Sequence, residues 1–140
     1  MTDDAQAFAS LMQGRLDPQR IADGVRFIES AQTQYSAVGR ITAGALNIEV
    51  QLELTSGESR AFKGTALGFF ADGSVEIGGY VYTTESANLF DLTRSFAMLL
   101  DGSHLYFYTK ELTVLGHFHG TAGHGLGHSP AFGDGQWFAV

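Results

Sequence analysis

Over residues 46–54 the chain alternates without a break: Leu46, Ile48, Val50, Leu52 and Leu54 are aliphatic, and Asn47, Glu49, Gln51 and Glu53 between them are polar. Successive side chains on a strand point to opposite faces, so this segment predicts a strand with one dry and one wet face. The cadence recurs from residue 34 to the end. Period-two alternation and the turn residues between runs predict about eight strands, roughly 35–43, 46–54, 60–70, 74–83, 89–100, 103–109, 112–121 and 134–140. Ser56-Gly57, Asp72-Gly73 and Asp101-Gly102 are hairpin signals, because glycine accepts the positive φ of tight turns. Connections this short cannot carry parallel crossovers, so neighbouring strands are expected to pair antiparallel.

The N-terminal part follows a helical period instead. Residues 3–13 predict a short helix with Phe8, Leu11 and Met12 on one side, Thr2 or Asp3 as its cap and Gly14 as its stop. Asp17-Pro18 opens a second helix, expected to run to about residue 32. Asp17 can accept from unpaired N–H groups, and Pro18 fits the first helical position. Ile21, Val25 and Ile28 form its apolar stripe. Residues 1–33 are therefore expected to pack on the end of the barrel, the other reading being a partner-binding helix. Residues 34–140 form the barrel.

Eight antiparallel strands close into a barrel or fold as a sandwich. Glycine placement favours the barrel. Phe62, Gly64, Ala66, Gly68 and Phe70 share one strand face, as do Val114, Gly116, Phe118 and Gly120. Large residues alternating with very small ones suit a narrow, curved interior. The expected fold is mainly β: a compact eight-stranded antiparallel β-barrel with one or two short N-terminal helices. Phe62, Phe70, Phe96 and Phe118, with leucines and valines, are expected to fill its core and leave little room for a ligand, although a barrel of this size can also hold one small molecule.

Composition narrows the function. A length of 140 residues and a hydrophobic share of 44% describe a single folded domain. The net charge of −7 argues against nucleic acid and anionic lipid as non-specific partners. With no cysteine there is no disulfide and no thiolate chemistry. The acidic start Met1-Thr2-Asp3-Asp4 is not a secretory signal. No Gly-x-Ser-x-Gly elbow and no P-loop is present, so no catalytic residue and no cofactor is assigned.

Four of the five histidines fall in a glycine-rich stretch: His117, His119, His124 and His128. His117 and His119, two apart on a strand, share a face. They could bind zinc, nickel or copper with His124 or His128 completing the set. No acidic residue or cysteine is interleaved, however, and the spacing matches no standard zinc motif. If Phe118 points inward the pair faces solvent, which makes surface histidines the plain reading. A patch that charges between about pH 7 and 5 is the third. Tyr80, Tyr82, Tyr106 and Tyr108 alternate on two strands, either as an exposed aromatic patch for sugar or lipid or as half-buried cross-strand packing. Glu85, Asp91 and Arg94 read as a solvated rim or a small polar cluster.

A string of short motifs carries a family resemblance. Val81-Tyr82-Thr83 is followed by Phe90-Asp91-Leu92-Thr93-Arg94-Ser95-Phe96, then Gly102 with His104-Leu105, then Leu115-Gly116-His117, then a glycine-rich stretch ending in Gly135-Gln136-Trp137. This order and spacing resemble the rhodococcal virulence-associated protein (Vap) family over about the last 100 residues. The resemblance implies an eight-stranded barrel of Greek-key type with one short helix at an end, and no catalytic residues or cofactor. It also implies secretion, a role in persistence within an acidifying host compartment, and contact with membrane. The missing signal and the density of histidines are departures from it. Three readings follow: a non-enzymatic virulence effector that binds a host membrane lipid or host protein; a small-ligand carrier or cofactor-free cyclase or isomerase; and an interaction module using an edge or aromatic patch. The expected state is a monomer or weak dimer, secreted or else cytoplasmic.

Overall fold

The computed structural model describes residues 2–68, 71–121, 126–127 and 129–140. Two helices lead, α1 (Asp3–Met12) and α2 (Pro18–Glu29). Then come β1 (Thr33–Ala43), β2 (Asn47–Leu54), β3 (Arg60–Leu67), β4 (Gly73–Thr83), a third helix α3 (Ser86–Leu92), β5 (Ser95–Leu99), β6 (His104–Tyr108), β7 (Val114–Gly120) and β8 (Pro130–Ala139). The strands close into one antiparallel barrel in the order β1-β2-β3-β8-β5-β6-β7-β4. Within that ring the runs 4-1-2-3 and 8-5-6-7 each return a fourth strand beside the first.

Two of the three glycine turns behave as hairpins. Gly57, at φ +80°, turns β2 into β3, and Gly102, at φ +77°, turns β5 into β6. Asp72-Gly73 does not: β4 pairs with β1 and β7 and not with β3. The turn signal is local, whereas the partner is chosen by a ladder running from Thr33 opposite Thr83 to Ala43 opposite Gly73. The run expected as one strand over 89–100 also divides, into α3 and β5. Leu89, Phe90 and Thr93 share one face of the helical turn and are all buried, and the Thr93 hydroxyl donates to Leu89 O at 2.5 Å. Leu46, expected on the dry face of β2, lies outside that strand and is 69% exposed.

The interior is packed. β2 shows the alternation in its purest form, with Ile48, Val50, Leu52 and Leu54 buried and the residues between them exposed. Phe62 meets Phe96, Phe107 and Trp137 at ring-centroid distances of 5.8, 5.0 and 5.6 Å. Glycines make that crowding possible. Gly64 and Gly135 face each other across β3 and β8; a Cβ on Gly64 would lie 2.6 Å from the Phe96 ring, and one on Gly135 2.5 Å from the Phe62 ring. Phe62, Phe96 and Phe118 sit in the core as expected, and Phe70 lies outside the described residues. Phe90 of α3 wedges between Tyr35 and Trp137, at 6.0 and 5.4 Å, and so closes the end of the barrel where β1 begins and β8 finishes.

A β-bulge between Phe107 and Tyr108 shifts the register of β6 on β7, so that Tyr108 faces Val114. It reverses the side-chain parity at the start of β7. Val114 therefore leaves the inward face it was expected to share with Phe118 and joins a second apolar cluster.

That second cluster relocates the helices. Ala97, Tyr106, Tyr108 and Val114 lie on the outer wall of β5, β6 and β7, and Ala5, Phe8, Met12, Leu16 and Ile28 cover them. The N-terminal segment thus packs on the side of the barrel, and α3 takes the end. β6 shows why: Leu105, Tyr106, Phe107 and Tyr108 are buried in succession, so both its faces are dry. Burying a large apolar side chain stabilises by roughly 1.5–3 kcal/mol, enough to hold two short helices against the wall.

Candidate functional site

Pairing across three strands aligns two rows on the outer wall. Tyr80 of β4 lies opposite His119 of β7, which lies opposite His104 of β6; Tyr82, His117 and Tyr106 form the parallel row. Leu105, Phe107, Phe118 and Val81 between them belong to the inner core, so every residue of both rows points outward.

α1 lays Asp4 onto these rows. Thr2 caps the helix, its side chain accepting from Ala5 N at 3.2 Å, and Thr2 N donates to Glu29 at 3.0 Å, tying the start of α1 to the end of α2. A carboxylate in the first helical turn also faces the positive end of the helix dipole. One oxygen of Asp4 lies 2.9 Å from His104 Nδ1 and 2.8 Å from His119 Nδ1; the other lies 3.2 Å from His117 Nε2. The Tyr106 hydroxyl donates to the backbone oxygen of Asp4 at 2.6 Å.

An ionised carboxylate only accepts, so each of those nitrogens carries a hydrogen. The hydrogens that face Asp4 are therefore Nδ1–H of His104 and His119 and Nε2–H of His117. His117 Nδ1, on the far side of the ring, is buried and without a hydrogen-bond partner among the described residues. Tyr82 stacks on the His117 ring at 5.1 Å and 20°, and Tyr106 lies at 6.2 Å and 29°. Burial by itself would raise the Asp4 pKa, but the hydrogen bonds from His104, His117 and His119, with the charge of His117, hold it far below the usual carboxylate range. The Tyr106 hydroxyl is pushed well above its ordinary value, by burial and then by the Asp4 charge, and stays a neutral donor.

Several sequence expectations change. His117 and His119 do point away from Phe118, but α1 covers that wall, so the side chain of His117 is 4% exposed and that of His119 is 39%. The plain surface reading fails for His117 because helix, not solvent, lies over it. The tyrosines make no single exposed patch: Tyr106 and Tyr108 are buried under the helices, while Tyr80 is 39% exposed on the rim. Glu85 accepts from Asn88 and Arg94 donates to Thr93 O. His124 and His128 lie outside the described residues. Asp4 and His104 were not singled out from the sequence. His104 had a usable signal, since the short connection between Thr109 and Thr113 folds β7 back on β6 and brings His104 opposite His119. Asp4 had only its place at the start of a helix, 100 to 115 residues from its partners. Asp4, His104 and His119 each present a ligand atom, all within 4.8 Å of one another, so among the described residues these are the ones that could hold a metal ion.

Asp4→Asn is expected to cost about 1–3 kcal/mol at neutral pH, since it replaces one acceptor of the cluster by a donor facing N–H groups. The folded pKa of Asp4 is lowered, so its contribution is complete above its unfolded value, about pH 4, and declines as the pH falls further. Urea unfolding of both proteins at pH 6 and pH 2.5 checks this. The difference should shrink at the lower pH; one of equal size would mean that the carboxylate is not its source.

Comparison with known proteins adds the family. The sequence profile described as Rhodococcus equi virulence-associated protein matches residues 2–138, both N-terminal helices included. Virulence-associated protein VapB of the intracellular pathogen Rhodococcus equi has a similar fold: the TM-score is 0.68 at 23% identity, covering 77% of this chain and 98% of that one. VapD of the same organism gives a TM-score of 0.68 at 21% identity, covering 76% and 97%. No curated protein matches the chain. With its closed barrel and a match along nearly its whole length, the chain belongs to the Rhodococcus equi virulence-associated protein family.

Proposed function

We propose that the protein is a non-enzymatic virulence effector that works after secretion by docking its outer surface on a host membrane or host component. The packed interior carries this reading. A carrier, cyclase or isomerase needs a hollow with convergent polar groups. Here the rings of Phe62, Phe96, Phe107 and Trp137 occupy that space, all 6% exposed or less. An edge-pairing module is not favoured either, since closing a sheet removes its edges.

The outer wall opposite the helices supplies a surface. Val38, Phe138 and Val140, which are 51, 47 and 68% exposed, line a groove across β1, β2, β3 and β8, with Arg40 and Lys63 beside Glu53 and Glu76 on its sides. Apolar side chains between charges of both signs suit a zwitterionic headgroup better than an anionic one. Co-sedimentation with phosphatidylcholine vesicles at pH 7 and pH 5 tests the membrane arm. Wild type should sediment, and Val38→Asp with Phe138→Asp should weaken binding by about tenfold or more, the equivalent of losing roughly 1.4 kcal/mol of burial. Absence of sedimentation at both pH values would overturn the membrane arm and turn the search to a host protein, with the same double variant as the probe.

A further inference from the structure

The cluster beneath α1 is built as a latch, but three of its members also meet the demands of a transition-metal ion. Antiparallel pairing sets His104 directly opposite His119, and α1 brings Asp4 between them from outside. Ligands about 2.0–2.1 Å from a tetrahedral ion stand roughly 3.4 Å apart. The Asp4 oxygen lies 2.9 and 2.8 Å from the two Nδ1 atoms, so those edges need to open by about half an ångström. His117 is packed in place and donates Nε2–H to the second Asp4 oxygen at 3.2 Å. Carboxylates that bind metals are commonly oriented by such a partner. The half-exposed His119 marks the open side of the cluster, where an ion can enter and a water can complete its shell.

We propose that Asp4, His104 and His119 bind one divalent first-row transition-metal ion where α1 meets the barrel, with His117 as the residue that positions Asp4. Two imidazoles and a carboxylate suit zinc, cobalt, nickel or iron(II); calcium and magnesium ask for oxygen shells. The proton balance is simple. Nδ1 of His104 and His119 must present a lone pair, so in the bound state each ring carries its hydrogen on Nε2, and any proton in excess of that is released to water. The ion would bridge residue 4 to strands β6 and β7 and clamp the N-terminal helix to the wall. This inference stands apart from whatever the groove on β1, β2, β3 and β8 docks to.

Calorimetric titration of the full chain with zinc chloride at pH 7.5, in a buffer that does not bind zinc, tests it. We expect one saturable site with a dissociation constant on the order of micromolar or below. His104→Ala, His119→Ala and Asp4→Asn should each weaken it by more than about a hundredfold, and His117→Gln by about ten- to a hundredfold, as expected of an orienting partner. The His124→Ala, His128→Ala double variant should bind like wild type. In parallel, zinc should shift the Nδ1 resonances of His104 and His119 in wild-type protein, a readout that holds even if a variant misfolds. No saturable binding by folded wild type overturns the proposal. So does binding that survives His119→Ala, or that is lost in the His124, His128 double variant.

Discussion

Replacing Phe8 with alanine should cost about 3–5 kcal/mol and lower the melting temperature by roughly 10–20 °C. Phe8 is fully buried, with its ring 5.5 Å from that of Tyr106 at 61° and 6.3 Å from that of Tyr108. α2 is shaped around it: a Cβ on Gly24 would lie 2.5 Å from the Phe8 ring, so glycine there is what lets the two helices close on the wall. Glycine inside a helix costs up to about 1 kcal/mol against alanine, and the space it leaves is taken by this ring. Without the ring, Gly24 has no side chain to fill the hole, and α1 loses its main hold on Tyr106, Tyr108 and Val114. Urea unfolding measures the cost directly. Phe138→Ala, at a ring that is 47% exposed, serves as the control and should change stability by about 0.5 kcal/mol or less. A loss below about 1 kcal/mol for Phe8→Ala would make the N-terminal helices an appendage and not part of the fold.

Gly39→Ala should be more damaging still, above about 4 kcal/mol, enough to leave little folded protein at 37 °C. Gly39 lies on β1 between Leu52 of β2 and Ile77 of β4. A Cβ there would sit 1.9 Å from the carbonyl oxygen of Gln51 and 2.9 Å from its carbon. Both atoms are backbone of the neighbouring strand, so no change of rotamer can relieve the clash and the strands must separate. Gly78→Ala is the matched control: it lies on the same sheet, opposite Val38, and has nothing within 4 Å of the added methyl. It should change stability by less than about 1 kcal/mol. Soluble yield and urea midpoints of the two variants decide the matter. Equal behaviour would mean that the close approach of β1 to β2 is not what demands glycine at position 39.

Much of the barrel was legible because burial on a strand has a period of two. Ile48 to Leu54 announced a half-wet strand, and the glycines among phenylalanines announced a narrow interior. The cluster was harder to see. Parity correctly put His117 and His119 on the outer face, yet outer does not mean exposed, and only the docking of α1 decides the difference. The clue lay in β6, where Leu105, Tyr106, Phe107 and Tyr108 leave no wet side; a strand that is dry on both faces requires a cover, and the stripe of Phe8 and Met12 was available to provide it.

The amino-acid sequence by itself determined the two N-terminal helices and most of the strands, the inward faces of most of those strands and the short motifs that mark the family. All of these depend on residues within a turn or a pleat of one another. Tertiary structure decided that β4 pairs with β1, that the N-terminal helices take the wall while α3 takes the end, and that Asp4 meets His104, His117 and His119. Those pairings join residues 100 to 115 apart in the chain. No local period encodes a meeting at that distance; it exists only once the closed sheet holds three strands side by side and a buried ring holds a helix across them.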